Sequence, residues 1–125
     1  MNDRLIKELQ LLKQSKHRKI KNQFVAEGKR LVREAMNCCN TVDLLFSTQT
    51  FYNKNKNDWQ GFWEVGSTKI EIITDSQFKR ISSTSTPSGI GALCNIPKNP
   101  HIDFKVREWI YLDKIRDPGN LGTIL

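Results

Sequence analysis

The residues best suited to chemistry lie at the carboxyl end of the chain, in Leu112 to Leu125 (LDKIRDPGNLGTIL). The tripeptide Asp117-Pro118-Gly119 favours a tight turn, because proline fixes φ and glycine adopts conformations that other residues avoid. Asn120 is a good helix N-cap, and its side chain offers both a donor and an acceptor. Gly122 lets another backbone approach closely. The segment can therefore position a polar substrate group, although the same residues also fit an ordinary strand-turn-helix corner.

The element that must position this loop is a predicted strand. Trp109, Ile110 and Leu112 form a short apolar run directly before it. Asn120 would then cap a helix that begins after the loop. Loops at the carboxyl ends of strands in α/β sheets are where ligands and catalytic groups gather. The pattern predicts a buried strand, a candidate active-site loop and a helix start.

Positive charge is concentrated near the amino terminus. Residues 1–34 hold ten of the twenty Lys and Arg but four of the thirteen acids, and the whole chain carries a net charge of +7. Phosphate is the natural partner of such a cluster, because each neutralised phosphate releases condensed counterions. A solvated basic surface without a ligand is the alternative. The residues predicted to contact nucleic acid are Lys16, Arg18, Lys19, Lys21 and Arg30.

Composition excludes several other classes of protein. Hydrophobic residues make up 38% and charged residues 26% of the chain, which is typical of a globular domain with a real core. No apolar stretch approaches the roughly 20 residues of a membrane span, and the amino terminus lacks the apolar region of a signal peptide. We therefore expect a cytoplasmic location.

Cysteine and histidine give no support for a metal site. Cys38, Cys39 and Cys94 lack the spacing of ligand pairs, and reduced, partly buried thiols are expected. His17 lies among lysines and His101 lies beside a proline, so both are expected at the surface. We predict no bound metal.

Helices and strands are predicted to alternate along the chain. The predicted helices cover residues 2–14, where Asn2-Asp3 suits capping, a segment opened by Gly28, a segment beginning near Thr50, and a short segment capped by Asp75. The predicted strands are Gln23 to Ala26, Val42 to Phe46, Lys69 to Ile73 and Gly89 to Ile96. Lys16 to Lys21 is predicted to be a connector and Ile81 to Pro87 a polar loop. This order is typical of an α/β domain with strands sandwiched between helices.

Three segments, in order, resemble the SpoU (TrmH-type) RNA 2′-O-ribose methyltransferases of the SPOUT superfamily. Phe24 to Val32 (FVAEGKRLV) is similar to the strand-to-helix entry of that family's substrate-binding domain. Ser83 to Ala92 (STSTPSGIGA) is similar to the loop into the last strand of that domain. Leu112 to Ile124 is similar to motif 1 of the catalytic domain. Their order makes coincidence improbable.

The resemblance implies a fold and a division of labour. Residues 1–96 would form an RNA-recognition domain, a three-layer α/β/α sandwich similar to kink-turn-binding ribosomal proteins. Residues 97–106 would be a linker, and residues 107–125 the first strand and helix start of a trefoil-knot (SPOUT) methyltransferase domain. In that family the catalytic domain is a dimer whose knot holds S-adenosylmethionine.

The resemblance also assigns residues. Asn120 matches the motif 1 asparagine of the active site, whereas the family's catalytic arginine would lie beyond Leu125, and Arg116 is too early to replace it. The residues that match the structural positions of motif 1 are Asp113, Asp117, Pro118, Gly119 and Gly122. No cofactor-binding residue is assigned in this chain. We expect the 125 residues to bind structured RNA, either ribosomal or transfer RNA, as a monomer without methylating it.

Two other functions remain open at this point. One is a stand-alone RNA-binding module resembling the kink-turn ribosomal proteins, for which motif 1 would have no use. The other is a protein-interaction domain with incidental basic charge. Trp59, Phe62 and Trp63 either stack on bases or, as their spacing favours, pack in the core.

Overall fold

Six helices and four strands alternate in the part of the chain that the computed structural model describes, residues 1–37, 42–59, 69–97, 105, 108 and 110–124. The helices are α1 (Asp3–Leu11), α2 (Ser15–Lys21), α3 (Lys29–Asn37), α4 (Gln49–Asn55), α5 (Asp75–Ile81) and α6 (Pro118–Ile124). The strands are β1 (Gln23–Glu27), β2 (Val42–Thr48), β3 (Lys69–Ile73) and β4 (Ile90–Asn95). All four predicted strands of the first domain are confirmed to within a few residues.

The four strands form one mixed sheet in the order β1-β4-β2-β3. β4 is antiparallel to both β1 and β2, and β2 is parallel to β3. The carboxyl ends of β1, β2 and β3 therefore meet the amino end of β4 at the same edge of the sheet. We call this the carboxyl edge; Glu27, Thr48, Ile73 and Ile90 mark it.

Helices cover both faces of the sheet, as the predicted three-layer α/β/α sandwich requires. On one face, α1 and α5 pack on β2 through residues such as Leu9, Phe78 and Phe46. On the other face, Val32 of α3 packs with Leu45 of β2. Adjacent β2 residues thus point to opposite cores, which explains why the strand is a continuous apolar run rather than an alternating one.

The predicted connector after α1 is wrong, because Ser15–Lys21 is a helix. Its sequence has no apolar stripe, and its one aliphatic residue, Ile20, is 68% exposed. Hydrogen bonds to the end of the preceding helix stabilise α2 instead. The Arg18 guanidinium donates to the carbonyl oxygens of Leu12 and Lys13 at 3.1 and 2.7 Å. Asn22 ends the helix in the left-handed region, with φ of 53°.

The predicted starts of α1, α3, α4 and α5 are confirmed to within a residue or two, but the predicted caps of α5 and α6 are wrong. Asn2 caps α1 as expected, accepting from the Leu5 amide. Thr74, not Asp75, caps α5 and forms a capping box with Gln77. Asp117, not Asn120, caps α6, because its carboxylate accepts from the Asn120 amide at 2.8 Å.

The predicted strand before motif 1 is absent from the described residues. Ile110 and Tyr111 are 79% and 89% exposed and belong to no strand of the sheet. An apolar run becomes a strand only where a neighbouring strand satisfies its backbone, and the described sheet places none beside it. Trp109, most of the predicted linker, Cys38, Cys39 and His101 lie outside the described residues.

Gly91 on β4 lies so close to the Phe46 ring that a larger side chain does not fit there. A Cβ atom at this position would lie 2.5 Å from Cζ of Phe46. We expect Gly91→Ala to lower the free energy of unfolding by about 1–3 kcal/mol, because the Phe46 ring must leave its rotamer or push the sheet apart. Urea denaturation of the purified chain measures this change.

Gly122→Ala is the matched control for this substitution. A Cβ atom at Gly122 would meet nothing within 4 Å, and alanine favours a helix over glycine by about 1 kcal/mol. Gly122→Ala should leave the urea midpoint of unfolding unchanged or raise it. Equal midpoints for Gly91→Ala and the natural chain would contradict the described packing of Phe46 on β4.

Candidate nucleic-acid interface

Glu27, the last residue of β1, holds a loop that is distant in sequence. Its Oε1 accepts from the hydroxyls of Ser82 and Thr84 at 2.7 and 3.3 Å, and its Oε2 accepts from the Ser83 amide at 3.2 Å. We call residues 82–89 the hydroxyl loop. Hydrogen bonds to a carboxylate are stronger than those between neutral groups, so this contact fixes the loop beside the start of α3.

The buried Ser47 and Gly89 hold the far end of the hydroxyl loop, and Gly28 forms the turn beside it. Gly28, with φ of 102°, turns the chain from β1 into α3, and its amide donates to the Ile90 carbonyl. Gly89 has φ of 81°, and its carbonyl accepts from the Thr48 amide at 2.9 Å and from the Ser47 hydroxyl at 3.1 Å. Both ends of the loop are therefore attached to the carboxyl edge.

A cleft of about 510 Å³ lies on one side of the hydroxyl loop, between it and α4. We call it the α4 cleft. Two lysines, Lys29 and Lys54, line it together with hydroxyl groups of Thr50 and Ser88. The Lys29 ammonium also donates to Oδ1 of Asn55 at 3.0 Å and forms an exposed ion pair with Asp58 at 3.5 Å, and one carboxylate, that of Asp75, is part of the lining. Anionic ligands that carry hydrogen-bonding groups suit such a lining.

A second cleft, of about 390 Å³, lies on the other side of the hydroxyl loop. We call it the α2 cleft. Lys13 and Arg18 line it beside Ser83 and Thr84, and its remaining lining is largely apolar, with Leu31 among those residues. The hydroxyl loop is thus a shared wall, and each cleft carries cationic side chains.

The predicted RNA-binding residues have different environments. Lys16 and Lys19 are exposed on α2, and their ammonium groups form no ion pair or hydrogen bond within the described residues. The Lys21 ammonium lies 3.9 Å from a Glu8 oxygen, and the exposed Arg30 is paired with Glu34 at 3.4 Å. Such exposed pairs are weak and would yield to phosphate.

Arg18 has a second role that its sequence context did not show. Its half-buried guanidinium links α2 to the end of α1, so it positions the neighbouring lysines as well as lining the α2 cleft. Sequence reasoning missed Lys13, Lys29 and Lys54 as site residues. The signal for Lys29 was its place directly after Gly28 in the strand-to-helix entry; nothing in the sequence distinguished Lys54.

Motif 1 lies apart from these clefts. Asp113, Asn120 and Gly122 are exposed, and within the described residues no hydrogen bond joins them to either cleft. Pro118 and Gly119 form the first turn of α6 after the Asp117 cap. Proline is well placed there, because the first helical residue needs no amide donor. The structure therefore does not unite Asn120 with the basic residues.

Trp59 belongs to the core, so the favoured interpretation of core packing is confirmed for this residue. Its side chain is fully buried, packs edge-on to Phe51 with ring centroids 5.9 Å apart, and lies 5.3 Å from the Arg33 guanidinium. Phe62 and Trp63 lie outside the described residues.

The part of the chain that the structure describes offers neither a candidate metal site nor a membrane-spanning helix. No group of three or more His, Cys, Asp or Glu side chains could hold a metal ion in that part of the chain. Every helix there is too short or too polar to span a lipid bilayer.

Comparison with solved structures defines the class of this fold. A TrmH-family protein from Porphyromonas gingivalis superposes with a TM-score of 0.70 at 27% identity, covering 99% of this chain and 46% of that one. The SpoU methyltransferase AviRb from Streptomyces viridochromogenes, solved with AdoMet, superposes with a TM-score of 0.67 at 17% identity, covering 86% and 40% of the two chains. The fold is that of the amino-terminal domain of SpoU-type methyltransferases.

The family follows from the sequence comparison. Residues 3–92 match the MRM3-like substrate binding domain, and the chain belongs to that family. It is also 28% identical over 121 residues to the 23S rRNA (guanosine(2553)-2′-O)-methyltransferase RlmP of Bacillus subtilis, covering 96% of this chain. That match covers 45% of RlmP, so the chain spans about half the length of this relative. The resemblance to SpoU enzymes is confirmed.

Removing the Glu27 carboxylate should release the hydroxyl loop. We expect Glu27→Ala to lower the free energy of unfolding by about 2 kcal/mol, because the Ser83 amide and two hydroxyls lose a charged acceptor. Amide hydrogen exchange at Ser83 should accelerate more than exchange in β2. Mass spectrometry of exchanged peptides measures both.

Glu34→Ala removes a carboxylate of the same type from an exposed pair with Arg30. This control should change stability by less than about 0.5 kcal/mol. If Ser83 exchanges at the same rate in Glu27→Ala and Glu34→Ala, Glu27 does not hold the loop.

Proposed function

We propose that this chain is the RNA-recognition part of an S-adenosylmethionine-dependent rRNA 2′-O-ribose methyltransferase. The observation that carries the proposal is the hydroxyl loop, held by Glu27 between two clefts that both carry cationic side chains. It occurs in a domain whose family is defined by substrate binding. RlmP, the relative from Bacillus subtilis, is named for 2′-O-methylation of 23S rRNA.

Lysine side chains and hydroxyl groups would make different contacts with the RNA. Lys16 and Lys19 on α2 would neutralise phosphates on one side of the hydroxyl loop, and Lys29 on the other. Protein recognition of RNA relies on shape, phosphate and 2′-hydroxyl contacts, for which serine and threonine hydroxyls are suitable partners. Ribosomal RNA is favoured over transfer RNA because the named relative modifies ribosomal RNA.

The alignment with RlmP favours a methyltransferase over a stand-alone binding module. It covers 96% of this chain, whereas the substrate-binding family match ends at residue 92. The similarity therefore continues into the segment with Asn120. We propose that Asn120 belongs to the catalytic site of the complete protein and that its catalytic domain forms a homodimer.

Methyl transfer itself is assigned to the complete protein. S-adenosylmethionine supplies the methyl group in this chemistry, but the residues of motif 1 do not form an enclosed site for it. All described side chains from Ile110 to Asp117 and from Asn120 to Ile124 are exposed. The proposed role of this chain is to bind and orient RNA. The cytoplasmic location stays a prediction.

Reversing charge on α2 should weaken RNA binding. We expect Lys16→Glu/Lys19→Glu to lower affinity for an rRNA hairpin at least about tenfold at low salt, and to reduce the slope of log K against log salt by about 2. Each lost phosphate contact reduces the number of released counterions. Fluorescence anisotropy over a salt series measures both quantities.

Lys7→Glu/Lys56→Glu carries the same change in net charge at exposed lysines outside α2, one on α1 and one at the end of α4. It should retain affinity within about threefold, since only long-range attraction is lost. If the two double variants lose the same RNA affinity, net charge accounts for the loss and the α2 lysines have no specific role. Affinity that does not depend on salt would remove the RNA-binding proposal.

Cofactor binding should require the second domain. Isothermal titration of S-adenosylmethionine into this chain should give no saturable heat, whereas a protein extended by a catalytic domain of about 120–150 residues should bind it. Substituting Asn120→Ala in the extended protein should reduce methyl transfer to RNA without weakening RNA affinity. Saturable binding to the 125-residue chain would contradict the assignment.

A further inference from the structure

Leu31 is an apolar residue that the fold leaves uncovered. The helical pattern of α3 predicts it on the core face, yet it is 55% exposed while its neighbour Val32 is fully buried. Leu31 instead lines the α2 cleft, opposite the buried Leu12. An aliphatic side chain in that position supplies an apolar surface to whatever enters the cleft.

The mouth of the same cleft is positively charged. Lys13 and Arg18 line it, and the Lys13 ammonium forms no ion pair or hydrogen bond within the described residues. Glu27 is the only carboxylate among the residues that line this described cleft, and both its oxygens accept from the hydroxyl loop. The charge available to a ligand is therefore cationic.

A polar edge completes the cleft. Ser83 and Thr84 line it, and the Thr84 hydroxyl lies 3.3 Å from Glu27 Oε1 and 3.0 Å from the Ser82 hydroxyl. A hydroxyl oxygen has two lone pairs, so it can still accept from a ligand if Ser82 donates to it. The volume of about 390 Å³ falls within the range of small-ligand sites. An apolar floor, a hydrogen-bonding edge and a cationic mouth match the three parts of a nucleotide: base face, base edge and phosphate.

We propose that the α2 cleft binds one unstacked nucleotide of the RNA, with its base against Leu12 and Leu31 and its phosphate at Lys13. This inference rests on the proposed function and adds the kind of RNA: a loop or bulge rather than continuous duplex. Proteins read RNA sequence mostly where bases are splayed out of the helix. A fully paired strand would have no base to offer.

Charge favours RNA over a protein segment as the occupant. An apolar peptide would cover Leu31 but leave the Lys13 ammonium desolvated without an anion, which is costly. A nucleotide brings its own negative charge to that position. The hydroxyl groups of Ser83 and Thr84 would also find no hydrogen-bonding partner on an aliphatic side chain.

Photo-crosslinking locates the base directly. An rRNA hairpin with a single 4-thiouridine in its loop is compared with a fully paired duplex that carries the same nucleotide inside the helix. Irradiation of the hairpin complex should attach RNA to the peptide that contains Leu31 or Phe24, both of which line the α2 cleft. The duplex should give at most about a tenth of that yield, because its base stays stacked.

Two matched truncations test the apolar floor. Leu31→Ala should weaken hairpin binding about fivefold and leave duplex binding unchanged, since only the unstacked base contacts Leu31. Ile20→Ala is the control, because Ile20 is 68% exposed on the adjacent α2 but does not line the cleft. It should leave binding of both RNAs unchanged. Both side chains are exposed, so neither substitution should prevent folding.

The possible failures are distinguishable. If neither RNA binds, the proposed function itself is wrong. If both bind but Leu31→Ala equals Ile20→Ala, or the hairpin crosslinks only outside the α2 cleft, the nucleotide site is wrong and RNA binding stands. If the extended protein without RNA protects residues 29–37 from hydrogen exchange relative to this chain, a segment of the protein covers the cleft and the inference is overturned.

Discussion

The three hydrogen bonds that Glu27 accepts hold the hydroxyl loop against the end of β1, 55 or more residues away in sequence. The hydroxyl loop consists mainly of serine and threonine, which bury little apolar surface and cannot hold a loop by packing. A carboxylate at the end of β1 supplies strong acceptors at the point where the loop leaves α5. Glu27 therefore fixes the part of the loop that lines the α2 cleft, while Ser47 and Thr48 fix the end that lines the α4 cleft.

The layers of the sandwich were predictable because their signals are strong and local. Leu9 and Leu12 recur at helical spacing, and β2 is a continuous apolar run, as a strand buried on both faces must be. Caps were harder. Thr74 and Asp75 are both good capping residues, and only the backbone conformation decides that Thr74 is the cap. The same ambiguity placed the cap of α6 at Asn120 instead of Asp117.

The positive charge of the site could be predicted from the sequence, whereas the arrangement of its side chains could not. The density of lysine and arginine identified α2, yet the segment was expected to be a connector because it has no apolar stripe. Its helix is fixed by Arg18, which bonds to carbonyl groups of the preceding turn. The contact between Glu27 and Ser82 joins residues 55 positions apart and follows from strand order, which no local pattern contains. Leu31 likewise fits an amphipathic pattern that the structure only partly uses.

In the part of the chain that the structure describes, the buried core of the sandwich and motif 1 lie in separate stretches. Within the described residues, both cores draw on side chains from Ile6 to Cys94 and on none from residues 110–124. The described packing of the two cores therefore does not depend on motif 1. Motif 1, in turn, has an apolar run at Ile110 to Leu112 that is exposed here and has no strand beside it. Under the proposed function, this separation would let the sandwich bind RNA while a further domain builds the catalytic site.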